Sequence, residues 1–317
     1  MSDELLWKYD EIKNYISAVL QYKFLHRPVR WKHWAGKKIL NPEESNQEIF
    51  DAIIRGKGYM ACRSANQEMS AVLYYIRKAL NVDPGDLNEI GKGLSVNAGM
   101  FSNDSKGIQI FADRYLESIC QADLYAIWCK ETEEFIMRKY VKKAQPTLLG
   151  YLEPYYSSSI YWTSALEGKR VLVVSPFTDT IKKQYQYRKL IWPEREVLPE
   201  FSLITVKAVQ TSCGACDARF STWFEAFNFM LLEIKKQNFD VAILGCGSYA
   251  VPLAKEIKEM GKVAIALGGA TQVLFGIIGK RWEERPFFKA MMNEYWVRPS
   301  EEEKPKNANQ VEGGCYW

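Results

Sequence analysis

The sequence has no run of about eighteen apolar residues, the length that a helix needs to cross a bilayer. Its first residues, MSDELLWKYDE, are acidic and lack the apolar core of a secretory signal. Internal repeats and low-complexity tracts are also absent, which excludes solenoid and fibrous architectures. We therefore expect a soluble, cytoplasmic globular protein.

Histidine is scarce, with only His26 and His33, so a histidine-rich metal site or a Ser-His triad is not expected. The seven cysteines are scattered, which argues against a disulfide framework. The lone pair Cys213-Gly-Ala-Cys216 has no second pair to complete a zinc site, although a redox role stays open. No G-x-x-x-x-G-K-[ST] loop is present, which excludes P-loop chemistry.

Charge of one sign is not in large excess. The 42 basic and 38 acidic residues give a net charge of +4 and are mostly interspersed, which argues against nucleic-acid binding. One exception is the basic, aromatic stretch from Lys23 to Lys38, which either contacts an anionic membrane or acceptor, or is a solvated linker. We predict a helix over 3–21 before it, and place an N-terminal extension at 1–45 and the main domain at 46–317.

Short apolar runs alternate with helical patterns along the main domain. Strands are predicted at 58–62, 124–129, 170–174, 201–206, 240–244 and 263–267. Helices are predicted at 47–55, 65–80, 86–120, 132–142, 182–190, 222–236, 248–260 and 270–278. This alternation predicts an α/β fold with a Rossmann-like, mostly parallel sheet. Ligands of such sheets bind at the carboxyl ends of the strands, so the loops after residues 62, 174, 244 and 267 are candidates.

Two of these loops are rich in glycine. Gly245-Cys-Gly247 leads directly into a helix, for which Ser248 is the predicted N-cap, and Gly268-Gly269 leads into the next. Such loops let a phosphate approach the backbone and a helix N-terminus. The alternative is a pair of tight turns that need positive φ angles. No acidic residue ends the strand 263–267, which disfavours NAD and S-adenosylmethionine as ligands.

Polar residues near other strand ends are further candidates. Arg63 is placed to pair with a phosphate. Glu68 either binds Mg²⁺ or Mn²⁺ or is stabilised by a helix N-terminus. Ser175 either contacts a ligand or closes a turn. If residues 293–298 are extended, Glu294, Trp296 and Arg298 share one face, which suits either a sugar phosphate or a solvated edge.

Residues 47–317 resemble the GT-D-fold bacterial glycosyltransferases, a family formerly catalogued as a domain of unknown function and found in surface-glycan gene clusters. The most specific match is the run FDVAILGCGSYAVPLAKEIKEMGKVAIALGGATQVLFGIIGKRW. Weaker matches are GYMACR, RVLVVSPF, RFSTWFEAF, EYWVRP and the terminal VEGGCYW. The family motif R-x-G-D-G-E is replaced here by Arg63-Ser-Ala-Asn66-Gln-Glu68, so that Asn66 stands at the aspartate position.

The resemblance implies a glycosyltransferase that moves a sugar from a UDP-sugar to a cell-surface glycan or glycolipid acceptor, with a divalent cation held by Glu68. In this reading Glu294 is the acceptor-activating base and Trp296 stacks on a sugar ring. The alternatives are a non-catalytic nucleotide-sugar-binding scaffold and a Rossmann-type methyltransferase. The implied donor-binding residues are Arg63, Asn66, Ser175, Gly245, Gly247, Ser248, Gly268, Gly269, Gln272, Trp296 and Arg298.

Overall fold

The computed structural model describes residues 2–24, 30–215 and 217–317. A two-residue hairpin, β1 (His33–Trp34) and β2 (Lys37–Lys38), precedes a seven-stranded sheet in which every described pairing is parallel. The order across the sheet is β5-β4-β3-β9-β8-β6-β7. Its strands are β3 (Tyr59–Arg63), β4 (Leu124–Ile127), β5 (Gln145–Leu148), β6 (Arg170–Ser175), β7 (Ser202–Lys207), β8 (Val241–Leu244) and β9 (Val263–Ala266).

Helices cover both faces of this sheet. The described α-helices are α1 (Asp3–Val19), α2 (Pro42–Arg55), α3 (Asn66–Ala79), α4 (Leu87–Gly93), α5 (Ser105–Ile119), α6 (Glu131–Lys139), α7 (Thr178–Tyr185), α8 (Arg188–Ile191), α9 (Trp223–Lys235), α10 (Ala250–Glu259), α11 (Ala270–Leu274), α12 (Lys280–Glu283) and α13 (Pro286–Lys289). Short 3₁₀ or π turns occur at 20–24, 94–98, 149–152, 154–156, 162–166, 247–249, 301–303 and 308–310.

Alternation along the strands divides the core into two layers. In β8, Val241 and Ile243 join one buried cluster, whereas Ala242 and Leu244 join the other. All four residues are almost fully buried, as a parallel sheet covered on both faces requires. The predicted Rossmann-like α/β class is therefore confirmed. No described helix has both the length and the apolar character needed to cross a membrane.

Several predicted boundaries need correction. Several helices were predicted across 86–120, and that range contains α4, a π turn at 94–98 that ends at Gly99 with a left-handed φ of 78°, and α5. The helix predicted at 182–190 is two, α7 and α8. The sequence patterns also miss β5, a short strand interrupted by Pro146. Proline is tolerated there because β5 is an edge strand of the sheet.

The N-terminal segment packs against the main body. Trp7 of α1 is buried edge-to-face against Phe135 of α6, with ring centroids 5.1 Å apart. The predicted boundary at 45/46 falls inside α2, which begins after a capping box formed by Asn41 and Glu44. The separation of residues 1–45 from 46–317 therefore divides a continuous helix.

Trp223 is the centre of an aromatic cluster beneath α9 and α10. Its ring is fully buried and stacks on Tyr249 at 4.8 Å, and its Nε1 donates a 2.9 Å hydrogen bond to Ser248 Oγ.

We expect Trp223→Phe to lower the free energy of unfolding by about 1–2 kcal/mol, because a buried hydrogen bond is lost. Urea denaturation measures this. A Trp223→Phe/Ser248→Ala double variant should lose less than the sum of the two single variants, and strict additivity would contradict the assignment.

Candidate functional site

A cavity of about 630 Å³ opens at the carboxyl edge of the sheet. That volume falls in the range of about 300–1,000 Å³ typical of small-molecule sites. The loops after all seven strands contribute to it, as expected where parallel strands end at one edge. Lining segments lie within 63–68, 97–99, 128–130, 149–156, 175–177, 208–212, 245–251, 266–272, 281–285 and 312–317.

The two glycine loops predicted to form a joint crevice do lie side by side. The Gly268 N–H donates to the Leu244 carbonyl at 3.0 Å. A Cβ added to Gly245 would lie 2.7 Å from Thr271 Cβ and 2.9 Å from the Gly268 carbonyl oxygen. Glycine is therefore required at 245 for the two loops to touch, whatever ligand is bound.

The last residues of the chain form one wall of the cavity above the second glycine loop. A Cβ at Gly269 would lie 2.4 Å from the Tyr316 ring, so glycine there makes room for this tail. Gln272 Nε2 donates to the Tyr316 carbonyl at 3.1 Å, and Arg281 Nη1 donates to the Tyr316 hydroxyl at 3.0 Å. Gln272, predicted to contact the donor, thus also anchors the tail.

Positive charge predominates around the cavity. Its lining contains four cations, Arg63, Lys130, Arg281 and Arg285, and three carboxylates, Glu68, Glu153 and Glu312. Within the described part of the chain, only Arg281 among these cations forms an ion pair, with Glu312. Arg63 donates a long 3.4 Å hydrogen bond to the Leu267 carbonyl. Three cations from separate loops therefore have no carboxylate partner among the described residues, although Lys130 donates a hydrogen bond to Asn66.

Glu68 lies at the start of α3, as predicted, and is almost completely buried. Burial raises the pKa of this carboxyl, and the charge of Arg63 partly opposes that shift. Glu68 therefore lies beside Arg63 in the lining of the cavity, at a position where burial disfavours its charged form.

Glu153 is a cavity residue that the sequence analysis missed. It follows the unpredicted strand β5, and its Oε2 accepts a short hydrogen bond from the Tyr155 hydroxyl. Burial raises the pKa of this carboxyl to about 7, although the Tyr155 hydrogen bond and the charges of Arg63 and Arg285 lower it. A carboxyl that titrates near neutral pH is suited to accept and release a proton.

Buried polar atoms without partners also face the cavity. Within the described residues, no hydrogen bond is made by Tyr115 OH, Thr271 Oγ1, Gln272 Oε1 or Trp317 Nε1. All four side chains line the cavity. Unsatisfied buried polar groups are rare and costly, which suggests that a bound polar molecule or water supplies their partners.

Comparison with known proteins identifies no relative. No family model matches this chain, and neither does any curated protein or solved structure. The GT-D resemblance thus rests on the motifs quoted above, and the chemistry of the cavity carries the functional argument.

The predicted divalent cation does not fit these residues. Lys130 Nζ donates a short hydrogen bond to Asn66 Oδ1, so an ammonium already occupies the oxygen that a metal would need. Glu68 is the only carboxylate on this segment, and the described residues contain no cluster of three or more His, Cys, Asp or Glu side chains arranged to bind a metal. A divalent ion would be repelled by Lys130, so no step is assigned to a metal.

Other predicted residues lie outside the cavity lining. Residues 294–295 form a turn, so Glu294, Trp296 and Arg298 do not share an extended face. Trp296 is buried against Trp192 with ring centroids 5.2 Å apart, and therefore cannot stack on a sugar. Arg298 is exposed and pairs with Glu283 at 2.6 Å. Glu294 is exposed to solvent.

Three more predictions are resolved by local packing. Ser248 lies inside a 3₁₀ turn and holds Trp223, so it neither caps α10 nor lines the cavity. Ser175 does line it, but its Oγ also accepts the backbone N–H of Phe177 at 3.1 Å.

Cys213 is buried, which raises the pKa of its thiol and disfavours redox chemistry. Its partner Cys216 lies outside the described residues, as do Arg27 and His26 of the basic stretch.

Proposed function

We propose that this protein is a glycosyltransferase that binds a nucleotide-sugar, specifically a UDP-sugar, in the cavity at the carboxyl edge of the sheet. The observation that carries the proposal is that Arg63, Lys130 and Arg285, from three different loops, line one nucleotide-sized cavity and form no ion pair with any described residue. A diphosphate is the anion that such a set of cations binds well. The resemblance to GT-D enzymes supports the same substrate class.

In the proposed reaction the bond between the sugar C1 and the diphosphate oxygen breaks, and an acceptor oxygen forms the new bond to C1. The cations stabilise the charge that develops on the leaving diphosphate, which is the largest catalytic contribution. The acceptor hydroxyl loses its proton to Glu153, whose pKa of about 7 allows it to be ionised at neutral pH. Glu153 takes the role that the sequence analysis assigned to Glu294.

Among the described side chains between β4 and β5, no carboxylate lines the cavity, as the methyltransferase alternative would require. Such an enzyme needs an acid after the second strand of its sheet to hold a ribose. The buried carboxylate nearest in sequence to the end of β4 is Glu133, which accepts the backbone N–H groups of Trp128 and Lys130, each at 2.9 Å. Both bonds go to Oε2, and Glu133 lies outside the cavity lining, where it cannot hold a ribose bound in the cavity.

Thermal unfolding with candidate ligands tests the proposal. UDP at about a hundred times its dissociation constant adds roughly 2.7 kcal/mol of stability, and Tm should rise by several degrees even with excess EDTA. Uridine, which lacks phosphate, should leave Tm unchanged. A rise with S-adenosylmethionine but not with UDP would overturn the proposal. If UDP raises Tm only when Mn²⁺ is present, the proposal of a metal-free site is contradicted, whereas the proposal of a UDP-sugar donor stands.

Turnover separates the enzyme from a non-catalytic scaffold. The scaffold alternative is favoured by one observation, the tail residue Tyr316 packed against the Gly269 loop. With a panel of UDP-sugars, an enzyme should release free UDP faster than the uncatalysed rate. UDP binding without release from any donor, with or without added glycan acceptors, would favour the scaffold.

A further inference from the structure

The outward face of α1 is apolar. Leu5, Tyr9, Ile12, Ile16 and Leu20 recur at helical spacing and form a line, here called the apolar stripe, whose members are each 49–59% exposed. Tyr15 and Tyr22 flank it at 63% and 69% exposure. Exposed apolar surface that is contiguous rather than scattered marks a contact site.

The opposite face of the same helix is buried and carries polar groups beside Trp7. Asp10 and Asn14 are almost fully buried, and Asp10 accepts two 3.2 Å hydrogen bonds from Arg138 of α6. Trp7 and these polar groups thus hold α1 to the protein, while the aliphatic side chains of the stripe meet the solvent. Within the described residues, no other part of the chain covers the apolar stripe.

The charge around the stripe indicates what covers it. Between Glu11 and Glu43 the sequence has no acidic residue, while its basic residues are Lys13, Lys23, Arg27, Arg30, Lys32, Lys37 and Lys38. Lys23, Arg30, Lys32 and Lys38 are exposed. Clustered Lys and Arg beside an apolar helix face favour binding to anionic lipid, to which each basic residue near the surface contributes.

A second copy of the chain suits this surface less well. The acidic residues at the start of α1 are already paired, Asp3 with Lys139 and Glu4 with Lys8. A parallel pair of copies joined along the stripe would bring the two basic segments together. In an antiparallel pair, the basic residues that follow each helix would approach the start of the other helix, where both carboxylates are already neutralised by their own chain. A bilayer containing anionic lipid accepts both the aliphatic side chains and the basic ones, and tyrosines are common at its interface.

We propose that α1 docks in the plane of an anionic membrane surface, with the apolar stripe inserted and the exposed Lys23, Arg30 and Lys32 on the lipid headgroups. The sequence analysis placed a membrane contact on residues 23–38 alone. The structure adds the aliphatic contact surface on α1. This proposal is independent of what the cavity binds.

Co-sedimentation of the full-length chain with lipid vesicles tests this docking. The chain should pellet with phosphatidylcholine vesicles that contain about one third phosphatidylserine, and at least tenfold less with phosphatidylcholine alone, because basic clusters require anionic lipid. Ile12→Gln/Ile16→Gln should reduce partitioning at least tenfold at unchanged Tm, since both side chains are exposed. The matched control is Ile54→Gln/Leu232→Gln, two equally exposed apolar residues elsewhere, which should bind as wild type does.

Three results would overturn the proposal. The first is failure of the wild-type chain to pellet with the vesicles that contain phosphatidylserine, and the second is equal partitioning of the two double variants. The third is a dimer, measured by light scattering without lipid, that Ile12→Gln/Ile16→Gln dissociates while vesicle binding is absent, which would assign the stripe to a second copy.

Discussion

Replacing Glu153 with Gln is expected to lower kcat for sugar transfer by about 10²–10⁴-fold, the usual contribution of a general base. The substitution preserves size, and an amide oxygen still accepts the hydrogen bond from Tyr155. UDP affinity should stay the same or rise slightly, because a negative charge leaves a cavity that binds an anion. UDP release from an accepted donor measures the first effect, and calorimetric titration with UDP measures the second.

The pH profile distinguishes a catalytic base from a structural role. Glu153 must be ionised to accept a proton, so wild-type kcat/KM should fall about tenfold per pH unit below its pKa of about 7 and level off above it. The Gln variant should lose this inflection. Glu294→Gln is the matched control, because that carboxylate is exposed and lies outside the cavity lining, and should behave as wild type. A normal profile in the Glu153 variant would refute the assignment.

Replacing Arg63 with Met is expected to weaken UDP binding by about 2–5 kcal/mol, or at least 30-fold, because a partly buried cation facing the diphosphate is lost. Met retains much of the aliphatic stem that packs near Gly268, so Tm without ligand should change little. Titration with UDP measures the loss, and uridine serves as the ligand without phosphate.

Arg298→Met is the matched control for this prediction. Arg298 was also expected to bind the donor, but it is exposed and pairs with Glu283 outside the cavity lining. Its variant should bind UDP as wild type does. If the two variants lose affinity equally, the cavity is not the diphosphate site.

Local patterns were sufficient for most of the sheet. Three of its strands, β4, β8 and β9, are wholly buried apolar runs, since a parallel strand covered on both faces needs no polar alternation. Thr222 was correctly predicted to start a helix, and its side chain accepts the N–H of Glu225 at 3.2 Å. Such signals depend on neighbours within a few residues.

The candidate site was only partly predictable. Arg63 and the loops at 245 and 268 were found because they directly follow strong strands. Glu153 was missed because β5 contains Pro146 and gives a weak strand signal, so nothing placed residue 153 at the carboxyl edge. Lys130 was missed because its importance depends on a contact with Asn66, 64 residues away, that no local pattern contains.

By itself, the sequence determined a parallel α/β sheet and directed attention to the loops at one edge, because burial periodicity and glycine-rich turns are properties of adjacent residues. Tertiary structure alone decided that Lys130 approaches Asn66, that Tyr316 packs over Gly269 and that the apolar side of α1 faces outward. Those outcomes depend on which distant segments meet, and they are fixed by the order of strands across the sheet and by packing between helices. The charge and accessibility of the cavity therefore emerge only when the chain is folded.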